Sequence, residues 1–179
     1  GPFTLGPYAT YGKDENYNGQ RYDVNPKGMI SAACASAAAA GVNFQQYDWD
    51  GDGQVEEVYV IYAGEGQATG GSTDTIWPHK SQLSTPTAFS KDGTKVYVYA
   101  CSNELKDSKG NVAGIGTICH EFSHCLGYPD LYDINYGGKY GMGTWDLMCS
   151  GNYNGDGFQP VGYTAYERYA AGWIDPIVL

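Results

Sequence analysis

The feature that most constrains this chain is a spacing pattern: His120-Glu121-x-x-His124-x-x-Gly127-x-x-Asp130. Two histidines four residues apart project from one face of a helix. Both imidazoles can then reach one Zn²⁺ at about 2.0–2.1 Å. Glu121 stands beside the first ligand rather than on the ion. There it can take a proton from a water that the ion has acidified to a pKa of about 7. Gly127 tolerates a left-handed backbone, which ends the helix and swings the chain back. Asp130 then arrives as an oxygen ligand, and a fourth position stays open for chemistry. The short His-Glu-x-x-His core alone is a weak signal, because a surface helix can carry those residues by chance. Gly127 and Asp130 at these offsets make it much stronger. The chain has three histidines. The other one, His79 in Trp77-Pro78-His79-Lys80, stands as an alternative to Asp130 as third ligand, or as a structural or cleft-lining residue.

Charge narrows the remaining options. Ten Lys+Arg against twenty Asp+Glu give a formal net charge of −10. A surface of that sign does not neutralise phosphate, which excludes nucleic-acid binding, and it does not dock on anionic membranes. No stretch is long and apolar enough for membrane insertion. A hydrophobic share of 42 % supports a core, and the length suits one catalytic domain over residues 1–179, with an upper lobe at about 1–127 and a lower lobe at about 128–179. Gly1-Pro2-Phe3 does not look like a native start, so the expectation is an excised mature domain, acting as a monomer. Five cysteines is an odd number, so at least one is free or paired outside the chain. Small buried thiols are the simplest account. Cys119 and Cys125 lie on different faces of one expected helix, which argues against a bond between them.

Along the chain, residues 1–24 read as a short strand plus loops. Met29 to Ala40 is Ala-rich and stops at Gly41, which predicts a helix. The run Val58-Tyr59-Val60-Ile61-Tyr62-Ala63 predicts a buried central strand. Residues 64–74 read as a surface loop. The turn signal Lys91-Asp92-Gly93-Thr94 precedes a second strand at Lys95 to Ala100. Ile115 to Cys125 reads as the motif helix, residues 133–160 as irregular, and Tyr163 to Ala171 as a last helix stopped by Gly172. That order predicts an α/β (α+β) fold: a twisted mixed sheet packed on the active-site helix, then an irregular segment and a C-terminal helix.

Asp48, Asp50 and Asp52 alternate ahead of Gly53, Gln54, Glu56 and Glu57. Carboxylates so crowded repel unless a cation gathers them, and alternating Asp with Gly at the sixth position is how a loop wraps Ca²⁺. The twelfth position is Tyr59, so this is not a regular EF-hand; Glu56 or Glu57 would close the shell. The alternative is a solvated acidic turn. Calcium here would pin the start of the strand that follows and serve stability, not catalysis.

The stretch His120 to Asp130, followed by Leu131-Tyr132-Asp133, resembles the immune inhibitor A-like secreted metallopeptidases, zinc peptidases of the metzincin type. The likeness extends to Gly114-Ile115-Gly116-Thr117, to Trp145-Asp146-Leu147-Met148, to the acidic loop, to Ile76-Trp77-Pro78-His79-Lys80 and to Tyr166-Glu167…Gly172-Trp173. The resemblance implies a metzincin-like fold, a catalytic zinc, structural calcium, protein or peptide substrates, and a secreted or cell-surface bacterial enzyme. It also implies that Met148 is the Met-turn residue, flooring the zinc site without binding the ion. Some metzincins carry a tyrosine two residues after that methionine, which steadies the oxyanion. Here the position is Ser150, which leaves Tyr153, Tyr132 and His79 as candidates for oxyanion or substrate contact. Cys119, Cys125 and Cys149 near the site have no functional account. The rival from another class, a calcium-stabilised binding module with purely structural zinc, does not explain an intact Glu121.

Overall fold

The computed structural model describes residues 10–17, 20–135 and 137–177. The chain is mixed α/β and divides into two compact units, residues 1–112 and 113–179. The boundary falls ahead of the motif helix.

In the N-terminal unit, β1 (Asp14–Tyr17) and β2 (Gln20–Asp23) pair antiparallel. The expected strand at 1–24 falls on these, and residues 1–9 of that span lie outside the described residues. Helix α1 spans Pro26–Ala39. It starts three residues earlier than the sequence suggested. Asn25 caps it, accepting the Gly28 N–H at 3.0 Å, and Pro26 takes the first turn, where no donor is needed. Gly28 masked that start: it reads as a boundary, yet a Cβ there would collide with the Asn25 cap.

The main sheet has three strands: β3 (Val58–Glu65), β4 (His79–Ala88) and β5 (Lys95–Leu105), in the order β3-β5-β4. β3 runs parallel to β5, and β4 antiparallel. Asp92 shapes the β4–β5 turn, accepting the Thr94 N–H at 2.8 Å, and Gly93 takes φ +83°. Two expectations need correcting. Val58–Ala63 is not central: among the described residues β3 pairs only with β5, and Ile61 faces outward. The centre is β5, which continues past Ala100 to Leu105 through fully buried Cys101 and Ser102. Polar Ser102, Asn103 and Glu104 hid that extension. β4 was missed because HKSQLSTPTA has little hydrophobic alternation; it lies at the sheet edge, with Pro86 inside the register shift between Gln82 and Thr87. Met29, Ile30, Phe44, Tyr62, Ile76, Leu83, Val96 and Tyr99 pack into one apolar core. Such burial is worth about 25 cal/mol per Å² of apolar surface.

The C-terminal unit holds α2 (Gly116–Cys125), 3₁₀ turns at Gly143–Trp145 and Ser150–Gly157, and a short α3 (Ala165–Ala170). The start of α2 lies on backbone. A Cβ on Gly114 would strike Gly157, and one on Gly116 would strike the Asn152 carbonyl. The glycines ahead of the motif are therefore a packing requirement. At α3, Thr164 and Glu167 form a reciprocal capping box.

Candidate metal centre

Helix α2 presents His120 and His124 on one face, with ring centroids 4.8 Å apart. His120 Nδ1 lies 2.8 Å from the Leu147 carbonyl, and His124 Nδ1 lies 2.7 Å from the Tyr128 carbonyl. A carbonyl only accepts, so both Nδ1 atoms carry the proton. Both Nε2 atoms are then lone pairs, and each lies 3.2 Å from Asp130 Oδ1. That oxygen is buried. Three acceptor atoms facing one another repel unless a cation sits among them. Ligands held about 2.0–2.1 Å from a tetrahedral ion stand roughly 3.3 Å apart, close to the observed spacing. The three ligand atoms all lie within 4.8 Å of one another. The donor set of two imidazoles and one carboxylate therefore fits a divalent ion such as zinc.

Without the ion the same crowding shows in the protonation balance. Burial lowers both imidazoles, but the Asp130 carboxylate, the accepting carbonyls and nearby Glu121 outweigh it, and both net pKa values rise. Burial raises Asp130, and the two histidines more than reverse that, holding it well below the usual carboxylate range. Glu121 itself is buried on α2 beside His120.

The loop after α2 is fixed by backbone. Gly127 takes φ +94°, its N–H bonds to the His124 carbonyl at 3.1 Å, and Tyr128 N–H bonds to Ser123 at 3.1 Å. Tyr128 stacks on Tyr163 at 4.8 Å, with Trp173 edge-on to both. Ser123 Oγ donates to the Cys119 carbonyl and receives the Tyr163 hydroxyl. Leu131 N–H bonds to the Met148 carbonyl at 2.7 Å. The Trp145–Met148 segment thus braces the site twice: Leu147 orients His120, and Met148 holds Leu131, next to Asp130. Met148 is fully buried. Sequence reasoning missed these two carbonyls, because main-chain acceptors leave no residue-type signal.

The other candidates lie as follows. His79 is not in the three-ligand group. Its Nδ1 bonds the Trp77 carbonyl at 2.6 Å and its Nε2 meets the Tyr99 hydroxyl at 2.9 Å. Burial lowers its pKa, with the Trp77 carbonyl opposing and Lys27 reinforcing. Tyr132 sits in the segment after α2 and Tyr153 within the 3₁₀ turn Ser150–Gly157, both exposed. Ser150 opens the second 3₁₀ turn. Asp48, Asp50 and Asp52 form a second group close enough to share an ion. Asp48 also accepts the Gly51 and Gly53 N–H groups, at 2.9 and 3.1 Å. The Gln54 N–H and side-chain amide both turn to Asp52. Glu56 Oε1 takes the Trp49 and Asp50 N–H groups, and neither it nor Glu57 joins the group of three. The five cysteines form no disulfide with one another; burial pushes the Cys34 thiol up to about 11.

A helix bearing two imidazoles and a buried glutamate, with a returning aspartate, is a group that could hold the ion of a metallopeptidase. The sequence matches the family described as "Immune inhibitor A peptidase M6, catalytic domain" over residues 5–173. The chain belongs to that family, and is a metallopeptidase domain. It is 28 % identical over 172 residues to Immune inhibitor A of Bacillus thuringiensis subsp. alesti, covering 84 % of this chain and 25 % of that protein. It is 26 % identical over 178 residues to Pre-pro-metalloprotease PrtV of Vibrio cholerae serotype O1, covering 86 % of this chain and 19 % of that protein. The chain thus spans a quarter or less of the curated relatives it matches. No helix among the described residues is long and apolar enough to cross a membrane.

Proposed function

We propose that this chain is the zinc-dependent catalytic domain of a secreted bacterial endopeptidase, of metzincin type, that cleaves peptide bonds in proteins as a monomer. The observation that carries it is the convergence of both Nε2 atoms on Asp130 Oδ1, each at 3.2 Å, with both Nδ1 protons committed elsewhere. His120, His124 and Asp130 would hold the ion. When bound, zinc supplies a Lewis acid that polarises the substrate carbonyl and acidifies water. Glu121 takes a proton from the attacking water and delivers it to the leaving amine nitrogen. Leu147 and Tyr128 keep the two rings in the ligating tautomer throughout. Tyr132, Tyr153 and His79 remain the candidates for steadying the oxyanion or the substrate.

Secretion is supported by the acidic charge and by the relatives, one of whose names marks it as made with pre and pro segments. The same reading assigns Ca²⁺ to Asp48, Asp50 and Asp52, with Gln54, Glu56 and Glu57 as outer support. Chelating calcium alone should lower the melting temperature; an unchanged melting temperature removes calcium from the account.

The direct test is Glu121→Gln on a quenched peptide. Turnover should fall by about 10²–10⁴-fold while zinc content stays at one per chain. Full activity in that variant overturns the general-base assignment. His124→Ala should lose zinc and activity together.

A further inference from the structure

Ser123 fills one of the open positions inside the His120-Glu121-x-x-His124 motif, and it is fully buried. A serine hydroxyl has one proton to give, and the Cys119 carbonyl, 2.5 Å away, takes it. The Tyr163 hydroxyl, also at 2.5 Å, is therefore the donor to Ser123 Oγ. The ring of the same Tyr163 stacks on Tyr128, with centroids 4.8 Å apart and planes inclined by 25°. Ser123 and Tyr128 are the two ends of the turn that closes α2, joined by the Tyr128 N–H and the Ser123 carbonyl at 3.1 Å. His124 projects from between them. Tyr163 thus spans that turn from outside, its hydroxyl on one end and its ring on the other. The end held by stacking carries the carbonyl that receives the His124 Nδ1–H at 2.7 Å.

Helix α3 backs this brace at both of its ends. Thr164, next to Tyr163, is locked by the capping box with Glu167, at 2.7 and 2.8 Å. The Tyr128 hydroxyl donates to the Glu167 carbonyl at 3.0 Å. Past the helix, Gly172 takes φ +72° and the Trp173 N–H turns back to the Arg168 carbonyl at 2.9 Å. The Trp173 ring then meets Tyr128 and Tyr163 edge-on, at 6.0 and 5.3 Å. Stacked and edge-on ring contacts have preferred geometries, so they orient Tyr128 as well as cover it.

We infer that Tyr163 is a positioning residue of the metal centre: it fixes the Tyr128 carbonyl, and through it the direction in which His124 Nε2 points, with α3 and Trp173 as its backing. The use of that direction rests on the zinc reading above. Tyr163 acts through Ser123 and Tyr128 and is not itself a ligand. Second partners of this kind set the tautomer and orientation of a ligating histidine. The inference is asymmetric. His120 takes its orientation from the Leu147 carbonyl, on another segment, so loss of Tyr163 should disturb His124 and spare His120. A residue that only glued the unit together would loosen both rings alike.

The test reads the two imidazoles separately, by long-range proton–nitrogen correlation spectra of the full chain with and without zinc, alongside zinc titration. Tyr163→Leu removes both hydroxyl and stack. It should weaken zinc binding by about 10–100-fold and, in the zinc-free chain, shift the His124 Nδ1–H pattern while His120 keeps its own. Tyr163→Phe keeps the ring and should lose only a few-fold. Ser123→Ala removes the same hydrogen bond from the other side, so the Ser123→Ala/Tyr163→Phe double variant should bind zinc no more weakly than the poorer single one. That series decides the matter if Tyr163→Leu does not fold. Unchanged zinc affinity in Tyr163→Leu overturns the inference, as do equal shifts in both histidines or additive losses in the double variant. A chain that takes up no zinc yet shows the His124-specific shift supports the brace and overturns the zinc reading instead.

Discussion

The two units are built by different physics. Residues 1–112 contain the whole apolar cluster, with Ile30, Val96 and Tyr99 fully buried around the β3-β5-β4 sheet. In residues 113–179 the buried groups are mostly polar: His120, Glu121, Ser123, Asp146, Asn152 and Glu167, joined by Leu147, Met148 and Cys149. The first unit is a hydrophobic scaffold. The second is held by hydrogen bonds: main-chain carbonyls accept from the Nδ1–H groups of His120 and His124, whose Nε2 atoms converge on Asp130 Oδ1. Buried polar networks are rigid when every member is satisfied and weak when one is not. On the zinc reading proposed above, the difference implies that an ion would brace the second unit and matter little to the first.

Mutation should separate them. The largest effect is expected in the scaffold: Ile30→Ala should lower stability by about 2–5 kcal/mol, measured by denaturant unfolding, while zinc affinity of the folded fraction stays unchanged. Loss of zinc affinity in that variant would break the distinction. Removing zinc acts on the other side. At free zinc 100 to 1,000 times the dissociation constant, binding adds about 2.7–4.1 kcal/mol. Chelation should therefore speed amide hydrogen exchange in residues 113–179 and leave β5 protected. Uniform loss of protection would show that one cooperative core, not two, carries the fold.

A smaller effect tests the backbone contact behind α2. Gly116→Ala drives a methyl into the Asn152 carbonyl, and should lose about 1–3 kcal/mol. Gly162→Ala meets open space and should be close to neutral. Equal melting temperatures for the two variants would remove close packing as the reason for Gly116.

Much of the metal site was legible because its signals are local. The four-residue offset of His120 and His124 and the glycine stop at Gly127 are properties of one helix and its cap. The α1 helix and the first half of β5 were legible for the same reason, a continuous run of suitable side chains. What escaped was set by tertiary context. β4 is a polar strand whose pairing with β5 makes it a strand, and β3 reads as central from composition while its place in the sheet is at the edge. Hydropathy assigns Asp146 and Glu167 to the surface, because carboxylates are buried only when something compensates them. Here the Met148 N–H serves Asp146, and the Thr164 N–H and hydroxyl serve Glu167, main-chain and capping donors that hydropathy does not read.

The most direct measurement is zinc-edge anomalous diffraction from crystals of the zinc-loaded Glu121→Gln variant. One anomalous peak is expected at bonding distance from His120 Nε2, His124 Nε2 and an Asp130 oxygen, with residue 121 off the ion. A peak elsewhere, or an ion that leaves Asp130 unliganded, would contradict the account.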